Sequence, residues 1–416
     1  MFENFLPDRA AVERLRAGPF GPHLDSFVAA LCELGYAGQT VRARLWLLDD
    51  LARWLGRQSL ELPDLHEQTV NLFLTERRRQ GRLRKGNVRA ARHFLEHLRE
   101  KAAVRPPEPA ADESPLGALR RQYENHLQKQ RGLAAVTVAE YWGFARRLLA
   151  ERFGDATIRV QDLTPDDVSI FVLRHARSGS PGVAKLMVSA LRSFFRFLFL
   201  NGQTPSDLAG AVPSVPNWRL AELPKYLTPE EVERVVRAAC ERDAPVARRD
   251  HAIVLLLARL GLRAGEVIAL ELDDVDWRAG ELEVRGNKGH HHDRLPLPVD
   301  VGQVLAAYLR HDRPPCTTRR LFVRAKAPHR GFANPSSIST IVCRTMKRAG
   351  LQPDFKGAHV LRHSLATGML RSGASLDEIG EVLRHRSPAT TEIYAKVDVK
   401  GLRSLALPWP TKGGEQ

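Results

Sequence analysis

The heptad Gly35-Tyr36-Ala37-Gly38-Gln39-Thr40-Val41 returns 97 residues later as Gly132-Leu133-Ala134-Ala135-Val136-Thr137-Val138. A stretch with apolar residues at i, i+3 and i+4 follows each, LWLLDDLARWL in the first copy and YWGFARRLLAERF in the second. Asp64-Leu65 matches Asp162-Leu163 at an offset of 98, and Ala91 to Leu98 matches Leu191 to Leu198 at 100. Each copy therefore reads as a bundle of several amphipathic helices, and the pair as a duplicated helical domain of about 85 to 95 residues. Two segments punctuate the chain. VRPPEPAADESP, from Val104 to Pro115, is rich in Pro, Ala and acid, and reads as a linker. A second stretch spaces Pro213, Pro216, Pro224 and Pro229 before Thr228-Pro229-Glu230-Glu231, which carries the hydroxyl, proline and carboxylate of a helix N-cap.

Beyond residue 225 the pattern changes. EEVERVVRAACERD and HAIVLLLARLG read as helices, VIALELDDVDW, ELEVRGNK and DRLPLPV as strands, and helices return around 301–311, 337–349, 359–372, 376–383 and 388–394. The expected fold is mostly α with a small β-sheet confined to an α+β C-terminal domain. The expected divisions are an N-terminal helical domain at 1–105, a linker at 106–114, a second helical domain at 115–212, a linker at 213–225, the α+β domain at 226–400 and a tail at 401–416.

Charge points to the partner. Sixty-three Lys and Arg against 48 Asp and Glu give a net charge of +15, which suits a polyanion. The surplus is locally concentrated. Arg77, Arg78, Arg79, Arg82, Arg84, Lys85, Arg89 and Arg92 follow one another with no acid between, and the stretch 310–356 holds eleven basic residues against Asp312 and Asp354. Arg77, Arg78, Arg79, Arg82, Arg84 and Lys85 are the candidate polyanion contacts outside the C-terminal domain. The four cysteines are far apart with no CxxC pair, so neither a disulfide framework nor a zinc site is indicated, and a cytoplasmic setting is expected. No apolar run is long enough to span a membrane.

The chemistry is concentrated in the last domain. In His359-Val360-Leu361-Arg362-His363, a helix puts His359, Arg362 and His363 on one face, where a guanidinium fork between imidazoles can cradle a phosphate. Ser375 to His385 opens with a capping box and ends by presenting His385, and Ser387-Pro388 starts a further segment carrying Thr390, Thr391 and Tyr394.

The ordered set Gly261-Leu262-Arg263-Ala264-Gly265-Glu266, Lys288 in a hairpin, HVLRH and LRHRSPATTEIY resembles the tyrosine recombinase (phage integrase) family over residues 225 to 400. Residues 115–205 resemble that family's helical core-binding domain. The resemblance implies a catalytic set of Arg263, Lys288, His359, Arg362, His385 and Tyr394, with Tyr394 as nucleophile, and a site-specific recombinase that cuts and rejoins double-stranded DNA through a 3′-phosphotyrosyl link without metal, ATP or other cofactor. It further implies a homo-oligomer, a tetramer on two DNA sites with the tail after Tyr394 donated to a neighbour, and sister recombinases as further partners. Two departures stand out: Arg384 replaces the family's usual glycine before His385, and GNKGHHHDRLPLP replaces the commoner Gly-Lys-Gly hairpin. The three histidines of that hairpin alternate faces, which opposes convergence on a metal.

The chemistry of the residues agrees with this reading. Attack of a phenol on a phosphodiester builds negative charge on the non-bridging oxygens, and Arg263, Arg362 and His385 offer donors where other enzymes use metal ions. A phenol with an ordinary pKa near 10 needs a base, for which His359 is the expected candidate, and the leaving 5′ oxygen needs an acid, the role the family gives Lys288. Two other functions share the pattern, a type IB topoisomerase and a catalytically silent DNA-binding accessory. The filled catalytic positions and the duplicated helical region favour the recombinase.

Overall fold

The computed structural model describes residues 1–106, 114–154, 156–215, 223–241, 246–286, 292–352 and 357–397. These form two compact units, one made of 1–106 with 222–416 and the other of 107–221.

The N-terminal helices are α1 (Arg9–Ala17), α2 (Gly21–Glu33), α3 (Gly38–Arg57), α4 (Glu67–Arg79) and α5 (Asn87–Glu100). Their apolar stripes enclose a core that includes Phe20, Phe27, Leu48, Phe73 and Phe94. The second unit has α6 (Pro115–Asn125), α7 (Ala135–Phe153), α8 (Pro165–Ser178) and α9 (Pro181–Leu200), closed over Tyr123, Leu149, Phe171, Phe194 and Phe195. The spacing of the sequence match reappears in the elements. Helices α3 and α7 start 97 residues apart, the single turns Leu62–Asp64 and Val160–Asp162 lie 98 apart, and α5 and α9 end 100 apart.

The C-terminal domain contains α10 (Pro229–Cys240), α11 (Ala247–Arg259), α12 (Ala264–Ala269), β1 (Val275–Asp276), β2 (Glu281–Arg285), β3 (His292–Pro296), α13 (Val299–Ala307), α14 (Ser336–Arg348), α15 (His359–Arg371) and α16 (Leu376–Val382). The cap at Thr228 forms as its sequence predicts. The Glu231 carboxylate accepts from the Thr228 N–H at 2.9 Å, and the Thr228 hydroxyl accepts from the Glu231 N–H at 3.3 Å. The middle of helix α11 is apolar on all sides because it runs through the centre of the domain, with every residue from Ala252 to Ala258 buried. The sheet is a three-stranded antiparallel ladder in the order β1-β2-β3, with Leu282 opposite Leu295 and Val284 opposite Asp293.

Two expected elements differ. VIALELDDVDW is not one strand: Val267, Ile268 and Ala269 continue α12, Val275–Asp276 join the sheet, and Glu271 makes an isolated antiparallel bridge to Arg320. The cause is local, since the Glu266 carboxylate accepts the Arg263 N–H at 2.8 Å and so caps a helix that the alternating apolar residues do not advertise. Pro388–Tyr394 forms no α-helix either, but lies in two short 3-10 segments, Pro388–Thr390 and Glu392–Val397.

The N-terminal helices meet the C-terminal domain at one tight spot within their shared unit. The His329 N–H donates to the Leu34 carbonyl at 2.9 Å. Beside it Gly35, at φ +76°, leaves space that a Cβ would take from the His329 ring.

Candidate active site

The site begins at the turn after α11. Gly261 takes φ +59°, and an added Cβ would stand 2.7 Å from Leu383, so only glycine brings this turn against the end of α16. The chain then enters α12 with Arg263 at its N-cap. Arg263 Nη1 donates to Glu266 Oε1 at 2.7 Å and Nη2 to the Arg384 carbonyl at 3.3 Å, while more than a third of its side chain stays exposed. Burial raises the carboxyl pKa of Glu266, but the Arg263 N–H and the guanidiniums of Arg384 and Arg263 outweigh it, so the group is held ionised.

Helix α15 supplies three side chains from one face. Arg362 is 3% exposed and donates to the carbonyls of Gly261 and Leu383, tying the α11–α12 turn to the end of α16. Burial and the neighbouring Arg263 and Arg384 bring its pKa down to about 10, which leaves it a cation at neutral pH. His359, at the first position of α15, has its pKa lowered by burial and by Arg362 and Arg263. One turn on, His363 Nδ1 is hydrogen-bonded to Tyr394 Oη at 2.8 Å. Burial, His359 and Arg362 lower the His363 pKa to about 4.

Tyr394 is 1% exposed, in a small cluster with Ala366, Ile379 and Leu383. Burial pushes its hydroxyl up to about 12 against the opposing pull of Arg362 and Arg263. His385 lies parallel to the phenol ring with centroids 6.4 Å apart, and its Nδ1 is bonded to the Thr391 hydroxyl at 2.7 Å. Its pKa too is lowered to about 4, by burial first and then by Arg362 and Arg263.

Arg263, His359, Arg362, His385 and Tyr394 are thus brought together by four separate segments. Lys288 lies outside the described residues, as do His290 and His291; His292 begins β3 and bonds Glu283 at 2.6 Å. The phenol bonds His363 rather than His359, the residue expected to assist its deprotonation. The i to i+4 step places His363 on the same helix face as His359, one turn further on. Glu266 and Arg384 also belong to the site's framework.

The candidate DNA contacts separate into two kinds. Arg78, Arg79, Arg82, Arg84 and Lys85 are exposed, whereas Arg77 turns inward, bonds Asp50 of α3 and donates to the Arg82 carbonyl at 3.3 Å. In the 310–356 run, Arg313 is held by the carbonyls of Thr318, Arg320 and Leu321, and Arg319 by Asp273.

Comparison with known proteins places the chain. Residues 225–400 match the phage integrase family, and residues 121–202 match the phage integrase N-terminal SAM-like domain. The integrase/recombinase y4rA of Sinorhizobium fredii is 41% identical over 402 residues, covering 96% of this chain and 97% of that protein. This chain belongs to the phage integrase family of tyrosine recombinases. The tyrosine recombinase XerD of Mycobacterium tuberculosis is 32% identical over 68% of this chain and 94% of its own length. Among solved structures, the post-cleavage complex of XerH recombinase with its palindromic difH substrate shares the fold at a TM-score of 0.55 and 20% identity, covering 88% of this chain and 95% of that one. A lambda integrase tetramer on a Holliday junction has a TM-score of 0.51 at 20% identity, covering 76% and 87%. Among the described residues no helix is long and apolar enough to cross a membrane.

Proposed function

We propose that this recombinase cleaves and rejoins double-stranded DNA with Tyr394 as nucleophile, and the observation that carries the assignment is the 2.8 Å bond between Tyr394 Oη and His363 Nδ1 beside Arg263, Arg362 and His385. A neutral His363 accepts the phenolic proton as Oη bonds to phosphorus. The P–O5′ bond breaks, and the leaving 5′ oxygen takes a proton from a general acid, the role assigned to Lys288. The products are a 3′-phosphotyrosyl link and a free 5′ hydroxyl, and a second 5′ hydroxyl reverses the step on a new partner. Arg263, with exposed donors, and Arg362 neutralise the non-bridging oxygens, with His385 and His359 as further donors.

In the free protein the proton stays on the phenol, because the Tyr394 and His363 pKa values lie far apart, near 12 and near 4. An arriving phosphate anion counters the cationic field that, together with burial, depresses the imidazoles, and so raises their proton affinity. The site is thereby quiet without DNA.

The basic residues Arg78, Arg79, Arg82, Arg84 and Lys85 are assigned to the DNA backbone. Assembly as a homo-tetramer on two DNA sites, with sister recombinases as further partners and action in the cytoplasm, completes the reading; the tetrameric lambda integrase complex on a Holliday junction supports the assembly. The test uses nicked DNA fragments from the flanks of the gene's own locus, incubated in EDTA and run on a denaturing gel. A protein–DNA adduct formed by the parent chain and absent with Tyr394→Phe is expected. An adduct of equal yield with Tyr394→Phe would overturn the assignment.

A further inference from the structure

Arg384 occupies a position where side chains are rarely placed. It lies just beyond α16 at φ +53°, with its N–H bonded to the Glu381 carbonyl at 2.9 Å and the next N–H, of His385, bonded to the Gly380 carbonyl at 2.8 Å. This is the helix stop that glycine normally makes, and a larger residue in left-handed backbone costs about 1–2 kcal/mol. What the side chain does there is therefore informative. It is 7% exposed, and its Nη2 donates to Glu266 Oε2 at 2.9 Å, the carboxylate whose other oxygen holds Arg263. Its carbonyl accepts from Arg263 as well. Its Nε is buried without a hydrogen-bond acceptor among the described residues and lies 3.9 Å from Asp293 Oδ2 on β3, the strand that follows Lys288 in the sequence.

We propose that Arg384 is a positioning residue for the cleavage reaction: it clamps Glu266 so that Arg263 presents its free donors to the scissile phosphate, and it ties β3 to the end of α16. Glu266 then stands between two guanidiniums and can swing toward neither. Arg384 also takes charge that would otherwise leave the buried Glu266 to compete with the phosphate for Arg263. A glycine at this position would make the turn with less strain and leave Glu266 to Arg263 alone.

The inference rests on the phosphotyrosyl reading, and the test separates the two. Arg384→Gly and Arg384→Asn both keep the left-handed turn, which glycine and asparagine tolerate, while removing the guanidinium. Adduct formation is timed at saturating protein on DNA carrying either the ordinary scissile phosphate or a methylphosphonate, which lacks the negative charge that Arg263 is placed to neutralise. Both variants should bind DNA within about twofold of the parent, yet cleave the phosphate about 10- to 100-fold more slowly. On the methylphosphonate the defect should shrink to about threefold or less, as it should for Arg263→Ala. An equal defect on both substrates would assign Arg384 to the fold alone and overturn the inference, and so would cleavage of the phosphate at the parental rate. Absence of any adduct with the parent protein would instead overturn the phosphotyrosyl reading itself.

Discussion

Tyr394 illustrates how much of this site rests on single atoms. Its hydroxyl is buried and bonded to one imidazole, so the loss of that imidazole and the loss of its neighbour have different consequences. His363→Ala should lower the single-turnover rate of adduct formation about a hundredfold or more, in keeping with removal of a general base, while DNA affinity is kept. His359→Ala should have a smaller effect, because its ring lies 6.4 Å from that of His363 and it has no bond to the phenol. Parental cleavage by His363→Ala would remove it from the proton path. Gly261 is the second residue on which the site turns. Gly261→Ala should destabilise the protein by about 1–2 kcal/mol in denaturant unfolding, since it combines left-handed backbone with a clash against Leu383.

Burial holds several imidazoles neutral, on α15 and elsewhere, and this gives the molecule a signature in pH. His363 and His385 have folded pKa values near 4 against an ordinary 6.5, as does His93 of α5 in the N-terminal domain. Between these limits the unfolded chain binds more protons than the folded one. Stability is therefore complete above about pH 6.5 and declines as the pH falls toward 4, where the decline levels off. Thermal midpoints measured from pH 7.5 to 4.5 should show this fall, with a shallower slope in His93→Gln; a flat profile would contradict the burial assigned to these rings. The elements also show what a sequence discloses. Caps made α10 and α16 legible, since Thr228 and Ser375 each sit three residues before a carboxylate that bonds back. Helix α12 was hidden because its cap is an arginine and its apolar residues alternate like a strand. The phenol's true partner was hidden for another reason: His359 and His363 share a helix face, and only the path of the chain from α16 to Tyr394 decides which of them it meets.

At the scale of the molecule, the basic surplus divides into charges held inside and charges left free. Replacing Arg78, Arg79, Arg82, Arg84 and Lys85 by Gln should weaken DNA binding across sequences and flatten the dependence of log affinity on log salt by about 0.9 for each phosphate no longer neutralised. Arg77→Gln should leave that slope nearly unchanged and lower stability instead, because Arg77 is committed to Asp50. An unchanged slope in the five-fold variant would show that this face does not meet DNA. The division of labour was only partly visible in the sequence, where all six residues look alike and only α3 reveals which one turns inward. The central claim concerns one covalent bond between the protein and DNA. The adduct made with DNA labelled at the scissile phosphate should be digested with protease and the labelled peptide sequenced. The account predicts a phosphotyrosine at Tyr394 joined to the 3′ side of the cleaved strand. Label on another residue, or a link to the 5′ side, would contradict it.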